Sequence, residues 1–400
     1  MANDRTSTSR RTKGDGAIFK NNKGRWVARY KIKGSPVREF YGNSKAEAKA
    51  KLDEHKYMVH SGEAINNRAT VGNYSDKFLY YKMQQVKRNN LKPSTYDRLE
   101  STYNCYIANH PISKILIGNL KSSDIQKLID GMQADYSIST ISKVYLFLHS
   151  MIRHGKNEKD LPDSFNPFST VELPDESAVG VKTKSIQIIP DEHLDLLKEI
   201  ALSRDDAGHL CYRYGPAIVF ALNTGLREGE VLALSKNGII HGENGRTSIR
   251  ISETVSIIKN RDEGAEKNYK LIITPPKYPR SNRIIPLNQE ALHCLNIMLD
   301  TYGINLIRKD LIISTNTGNI PTARNYQLTL DRILSKCGIE HYGTHALRHS
   351  FATKLLSKTT SHQDIKAVAE LLGDDYKIVI KTYLHTDDDK KHDLVDLLNM

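Results

Sequence analysis

Cysteine is scarce in this chain of 400 residues: four thiols, Cys105, Cys211, Cys294 and Cys337, stand far apart and form no CxxC pair. That spacing argues against a zinc knuckle, and isolated thiols fit a reducing compartment better than a disulfide scaffold. No apolar run reaches the roughly 18–20 residues that a membrane span needs. The polar, basic N-terminus carries no apolar segment of a secretory signal. A phosphate-cradling GxxxxGK(S/T) loop is missing, and so is a clustered Asp/Glu motif that would hold two metal ions. The expectation is a cytoplasmic protein without a membrane partner.

What is present is enough apolar side chain for real cores, 39% of the residues, beside 26% charged ones. The length allows two or three domains. The formal net charge is +12, and it is unevenly spread: residues 1–60 hold 15 Lys/Arg against 6 Asp/Glu, hence +9 of the +12. A basic module on a milder body points to a polyanionic partner, most often nucleic acid.

Residues 1–14 are polar and read as a basic arm. Three short strand-like runs follow, near 16–19, 25–31 and 37–41, separated by Gly- and Asn-containing turns. Ser44-Lys45-Ala46-Glu47 is a capping box that opens a helix. The first 64 residues therefore predict a small α+β domain of three strands and one helix, with Arg25, Arg29, Lys31 and Arg38 on its exposed basic face. Trp26 is expected in its core. Residues 65–170 have helical periodicity in four segments, with Ser94 and Ser122 as N-caps and Ile125, Leu128 and Ile129 on one face. The proline-punctuated stretch 171–187 reads as a linker, and 188–400 as a mixed, mainly helical domain. Near the end, Leu394, Leu397 and Leu398 form a stripe that must bury itself on its own body or on a neighbouring subunit.

Three stretches of the last domain belong together. Asn223-Thr224-Gly225-Leu226-Arg227-Glu228-Gly229-Glu230 follows an apolar helix, where Gly225 would cap the helix and Arg227 would project from the turn. In His345-Ala346-Leu347-Arg348-His349-Ser350, His345 and Arg348 are three apart and share one helical face. Leu371-Leu372-Gly373-Asp374 precedes Thr382-Tyr383-Leu384-His385. In order and spacing these motifs resemble those of the tyrosine recombinase/integrase family, with its TGLRxGE turn, hairpin Lys, HxLRH helix start, LLGH-type turn and following Tyr. Residues 71–170 look like that family's helical core-binding domain, and residues 15–60 like the arm-type DNA-binding domain of phage and conjugative-transposon integrases.

The resemblance implies Arg227, Lys277, His345, Arg348 and Tyr383 as catalytic residues, with Glu230 as a supporting acid. It implies a multidomain protein whose two larger domains clamp double-stranded DNA at attachment sites, assembled as a tetramer. An accessory excisionase or DNA-bending protein and a nucleoid-associated place in a bacterial cell belong to the same expectation. The reaction would be integration and excision of a mobile element through a 3′-phosphotyrosyl link, which keeps the bond energy and calls for neither ATP nor metal. Such chemistry suits these residue types. Two Arg forks bind the non-bridging oxygens of a phosphodiester bidentately, and one well-placed donor contributes about 3–4 kcal/mol. A Tyr hydroxyl titrates near a pH of about 10, so it needs cations or a base beside it, and Lys277 suits protonation of the leaving oxygen.

One position departs from the pattern. Asp374 stands where the family usually has His or Trp, and a carboxylate beside a phosphate repels it unless protonated or turned away. Either Asp374 plays another part or a different donor serves, with His349 and His385 as candidates. Two rival readings remain: a DNA-relaxing type IB-like topoisomerase, and a non-catalytic DNA-binding regulator, for which Asp374 speaks.

Overall fold

The computed structural model describes residues 17–30, 38–60, 69–182, 186–262, 265–276, 279–359 and 361–383. The basic arm, Lys31, Lys277, His385 and the Leu394, Leu397, Leu398 stripe lie outside the described residues. The side chain of Arg38 does too. Two compact units divide the chain, Met1–Thr183 and Lys184–Met400. Among the described residues no helix is long and apolar enough to cross a membrane.

The first unit opens with the expected small sheet, β1 (Ala17–Lys20), β2 (Trp26–Tyr30) and β3 (Arg38–Gly42), all antiparallel. Its register aligns Phe19, Val27 and Tyr41 across the strands. Helix α1 (Lys45–His60) lays Ala48 and Leu52 on Ala28. Trp26 is half-buried at the edge of this cluster rather than central, with Lys45 Nζ 5.9 Å from its ring. The reciprocal cap forms with a one-residue shift: the Glu47 N–H donates to Ser44 Oγ at 3.1 Å, while the Glu47 carboxylate accepts from the Asn43 N–H at 2.8 Å. Because strand side chains alternate, Arg29 lies on the sheet face opposite Trp26, Ala28 and Tyr30, which pack towards α1.

The helical part comprises α2 (Val71–Lys87), α3 (Pro93–Thr102), α4 (Ser122–Met132) and α5 (Ile138–Asn157). Ile125, Leu128 and Ile129 are buried, as their spacing predicts. The N-caps differ from expectation. Lys92 precedes Pro93, whose fixed φ suits the first helical position, and Lys121 caps α4, with its N–H held by Asp124 at 3.0 Å. Nor does the segment after Thr170 behave as a free linker. Val179 is buried in the helical core, and the Gly180 N–H donates to the Gln133 carbonyl at 2.8 Å.

The second unit is built around α7 (Gly215–Thr224), which is apolar nearly all round and buried except at Asn223. Around it pack α6 (Asp191–Ala201), α9 (Gln289–Thr301), α10 (Ala323–Lys336) and α11 (His345–Leu356). The short α8 (Glu228–Leu232) follows directly. Two small sheets come next: β4 (Ile239–His241), β5 (Thr247–Ile251) and β8 (Arg283–Pro286) in one, β6 (Thr254–Lys259) and β7 (Tyr269–Thr274) in the other. The extended stretch is broken between Ile251 and Thr254, so that β5 and β6 enter different sheets. The connection that carries Lys277 leads from β7 to β8, which pair with β6 and β5 and not with each other. Helices α12 (His362–Leu372) and α13 (Tyr376–Tyr383) complete the described chain and share a smaller core with α11.

Candidate active site

Two left-handed glycines aim the key side chains. Gly225, at φ +63°, ends α7 with its N–H on the Ala221 carbonyl at 2.9 Å, and Gly373, at φ +65°, ends α12. Both positions favour glycine because a Cβ strains a left-handed backbone. The first turn delivers Arg227 to the start of α8. The second delivers Asp374.

Arg348 is 4% exposed and projects from α11 into the gap between these turns. Its Nη1 donates to the Gly225 carbonyl at 2.7 Å, and its Nη2 donates to the Leu372 carbonyl at 2.8 Å and to Asp374 Oδ2 at 2.5 Å. Arg227 Nη2 donates to the other Asp374 oxygen, Oδ1. Asp374 is therefore neither turned away nor aligned with an incoming anion. It sits as a counter-ion between the two guanidiniums, as complementary charges at this distance dictate.

Glu230 closes the other side of Arg227. Its Oε1 accepts from Arg227 Nη1 at 3.0 Å, and its Oε2 from the Arg227 backbone N–H at 3.0 Å. Burial pushes the Glu230 carboxyl up, but the hydrogen bonds and charge of Arg283, with help from Arg227, hold it below the ordinary range. Arg283 was not singled out by its sequence context. It also donates to the Leu371 carbonyl at 2.6 Å, tying β8 to the end of α12.

His345, the first residue of α11, keeps an exposed side chain. Desolvation by the surrounding protein, then the charges of Arg348 and Arg227, lower its pKa. Tyr383 ends α13 half-buried, and its hydroxyl lies 2.7 Å from His349 Nδ1. Burial raises its pKa above the ordinary 10.0, against the pull of Arg348 and Arg227 and with the push of Asp374. Arg227, Glu230, His345, Arg348, Asp374 and Tyr383 thus come together, from four separate segments. Arg25 and Arg29 belong to the other unit, where Arg25 is exposed and Arg29 is paired with Glu39 at 2.6 Å. Among the described residues no cluster of three or more His, Cys, Asp or Glu is placed to hold a metal ion.

The arrangement offers paired cations for a phosphate, a hydroxyl nucleophile and imidazoles for proton movement. Known proteins share the family and the fold. The phage integrase family model matches residues 188–390. A tyrosine recombinase XerC-like protein of Caldanaerobacter subterraneus is 28% identical over 375 residues, covering 90% of this chain and 91% of its own length. The solved Tn1549 transposon integrase, in complex with a circular intermediate DNA, superposes with a TM-score of 0.63 at 20% identity, over 82% of this chain and 99% of that one. The lambda integrase tetramer bound to a Holliday junction gives 0.54 at 15% identity, over 94% and 96%. The likeness to these two structures is one of fold. With its family model covering residues 188–390, this chain belongs to the phage integrase family, the tyrosine recombinases that cleave and rejoin DNA.

Proposed function

We propose that this recombinase integrates and excises a mobile element, with Tyr383 as the nucleophile at its attachment sites. The observation that carries the reading is the convergence of Arg227, Arg348 and Tyr383 on one point. The scissile phosphate takes the place of the Asp374 carboxylate, so that each guanidinium grips a non-bridging oxygen. His345 adds a third donor on the same helical face. Glu230 positions Arg227. Tyr383 Oη forms the bond to phosphorus as the bond to the 5′-oxygen breaks, and Lys277 supplies the proton to that leaving oxygen. A free 5′-hydroxyl and a 3′-phosphotyrosyl link result, and attack by another strand's 5′-hydroxyl reverses the step.

Double-stranded DNA is the partner. The Tn1549 and lambda integrases were solved on DNA, the latter as a tetramer on a junction, which supports a tetramer here. In the first unit, Arg25 and Arg29 are offered to phosphates; for Arg29 a phosphate must displace Glu39.

The test is covalent trapping. The protein and its Tyr383→Phe variant are incubated with nicked duplexes carrying the element's own ends. A denaturation-resistant adduct from the unmutated protein alone is the expected result. Binding of the same duplexes without any adduct would favour the non-catalytic regulator, with Asp374 locking the arginines.

A further inference from the structure

The phenolic proton of Tyr383 needs a destination, and the groups around the hydroxyl limit the choice. Arg227 and Arg348 have no acceptor atom. Asp374 bonds to those guanidiniums rather than to the hydroxyl. His349 Nδ1 lies 2.7 Å from the hydroxyl, with ring centroids 5.5 Å apart and the planes inclined by 53°. One helix carries the whole set: His345, Arg348 and His349 stand at i, i+3 and i+4 on a single face of α11, with the two imidazole centroids 6.5 Å apart.

We propose that His349 is a further catalytic residue, whose Nδ1 accepts the Tyr383 proton as the phenolic oxygen attacks phosphorus and returns it when the strand is rejoined. The inference rests on Tyr383 as nucleophile. Atoms balance in the step. The Oη–P bond forms, the P–O5′ bond breaks, the phenolic proton ends on His349, and the 5′-oxygen receives its proton from the acid assigned above to Lys277. The base role requires His349 as the tautomer with its proton on Nε2, which leaves Nδ1 as acceptor.

Electrostatics favour that role. Burial, then His345 and Arg348, lower the His349 pKa below 6.5, while Asp374 acts in the other direction. The ring is therefore neutral, and able to accept, at neutral pH. Because the Tyr383 pKa is raised, complete transfer before attack is uphill. Proton transfer is instead coupled to formation of the Oη–P bond, where a positioned base helps most. Once protonated, the imidazolium gains the Asp374 carboxylate as a nearby opposite charge.

Single-turnover adduct formation on nicked duplexes tests the proposal, with oxygen or sulfur at the 5′-bridging position. His349→Gln should cleave about a hundred- to ten-thousand-fold more slowly at neutral pH, with unchanged affinity for the same duplex and an unchanged melting temperature. Sulfur substitution removes the need for a leaving-group proton, so it should not restore the rate. The defect should narrow with rising pH, as hydroxide takes over the proton. His349→Ala, which also covers a poorly packed glutamine, should regain activity with added imidazole, which a purely structural role would not produce. Cleavage by His349→Gln within about threefold of the unmutated rate, or rescue by sulfur, would overturn the assignment. An adduct from Tyr383→Phe would instead remove the nucleophile on which it rests, and so separates the two failures.

Discussion

Arg283 and Glu230 face each other through two hydrogen bonds, Nη2 to Oε2 at 2.9 Å and Nη1 to Oε1 at 3.2 Å, with side chains 6% and 3% exposed. The pair stands behind Arg227, and through it β8 grips the carboxylate that positions that arginine. Removing one partner leaves a buried charge uncompensated. Arg283→Ala is expected to lower stability by about 3–5 kcal/mol, read as a shift of the urea midpoint for the full chain. An unchanged midpoint would mean that water or Arg227 fully replaces it.

Asp374 holds two guanidiniums that a phosphate must otherwise reach. Asp374→Asn should weaken the fold by about 1–3 kcal/mol, since Arg348 loses a charged hydrogen-bond partner. It should also open the site to outside anions. Thermal unfolding against increasing sulfate checks this, and the variant should gain more melting temperature than the unmutated protein. Equal responses would show that the carboxylate does not compete for the anion.

At Gly225 both backbone and space forbid a side chain. A Cβ there would lie 2.3 Å from Phe351 Cδ1, on a backbone at φ +63°. Gly225→Ala should destabilise by about 1–3 kcal/mol or more. It should also slow adduct formation, because Arg348 hangs from the Gly225 carbonyl. Calorimetry and the trapping assay read the two effects separately.

Acid should loosen this unit through its histidines. The folded pKa values of His345 and His349 lie below 6.5, whereas in the unfolded chain both take protons near about 6.5. Unfolding therefore takes up protons between the folded values and 6.5, so stability falls as pH drops through that window and is flat in these groups above it. His349→Gln should flatten the acid side of a melting-temperature profile. An identical slope would assign the acid sensitivity to carboxylates.

Much of this was legible from residues alone. The apolar periods of α4 and α7, and the order of TGLREGE, HALRHSFAT and LLGD, carried the helices, the family resemblance and the residues that converge. What stayed hidden depends on distant pairing. In Arg283-Ile284-Ile285-Pro286 two adjacent isoleucines leave the inward register undecided, and only pairing with β5 turns Arg283 and Ile285 inward. Five-residue α8 is too short for any period. Asp374 was recognisable as a departure from the family pattern, but its salt bridge to Arg227 spans 147 positions. The nearness of His349 to Tyr383 likewise follows from how α13 packs on α11, not from the local motif.

Chain order carries a consequence at the ribosome. The basic first unit emerges first, the Arg227 turn later, α11 after that, and Asp374 and Tyr383 last. With Tyr383 as the proposed nucleophile, translation broken off after α12 yields a protein that keeps Arg227 and Arg348 and lacks the attacking hydroxyl. If such a product still bound DNA as proposed, it would occupy a site without cutting it and inhibit its full-length sibling.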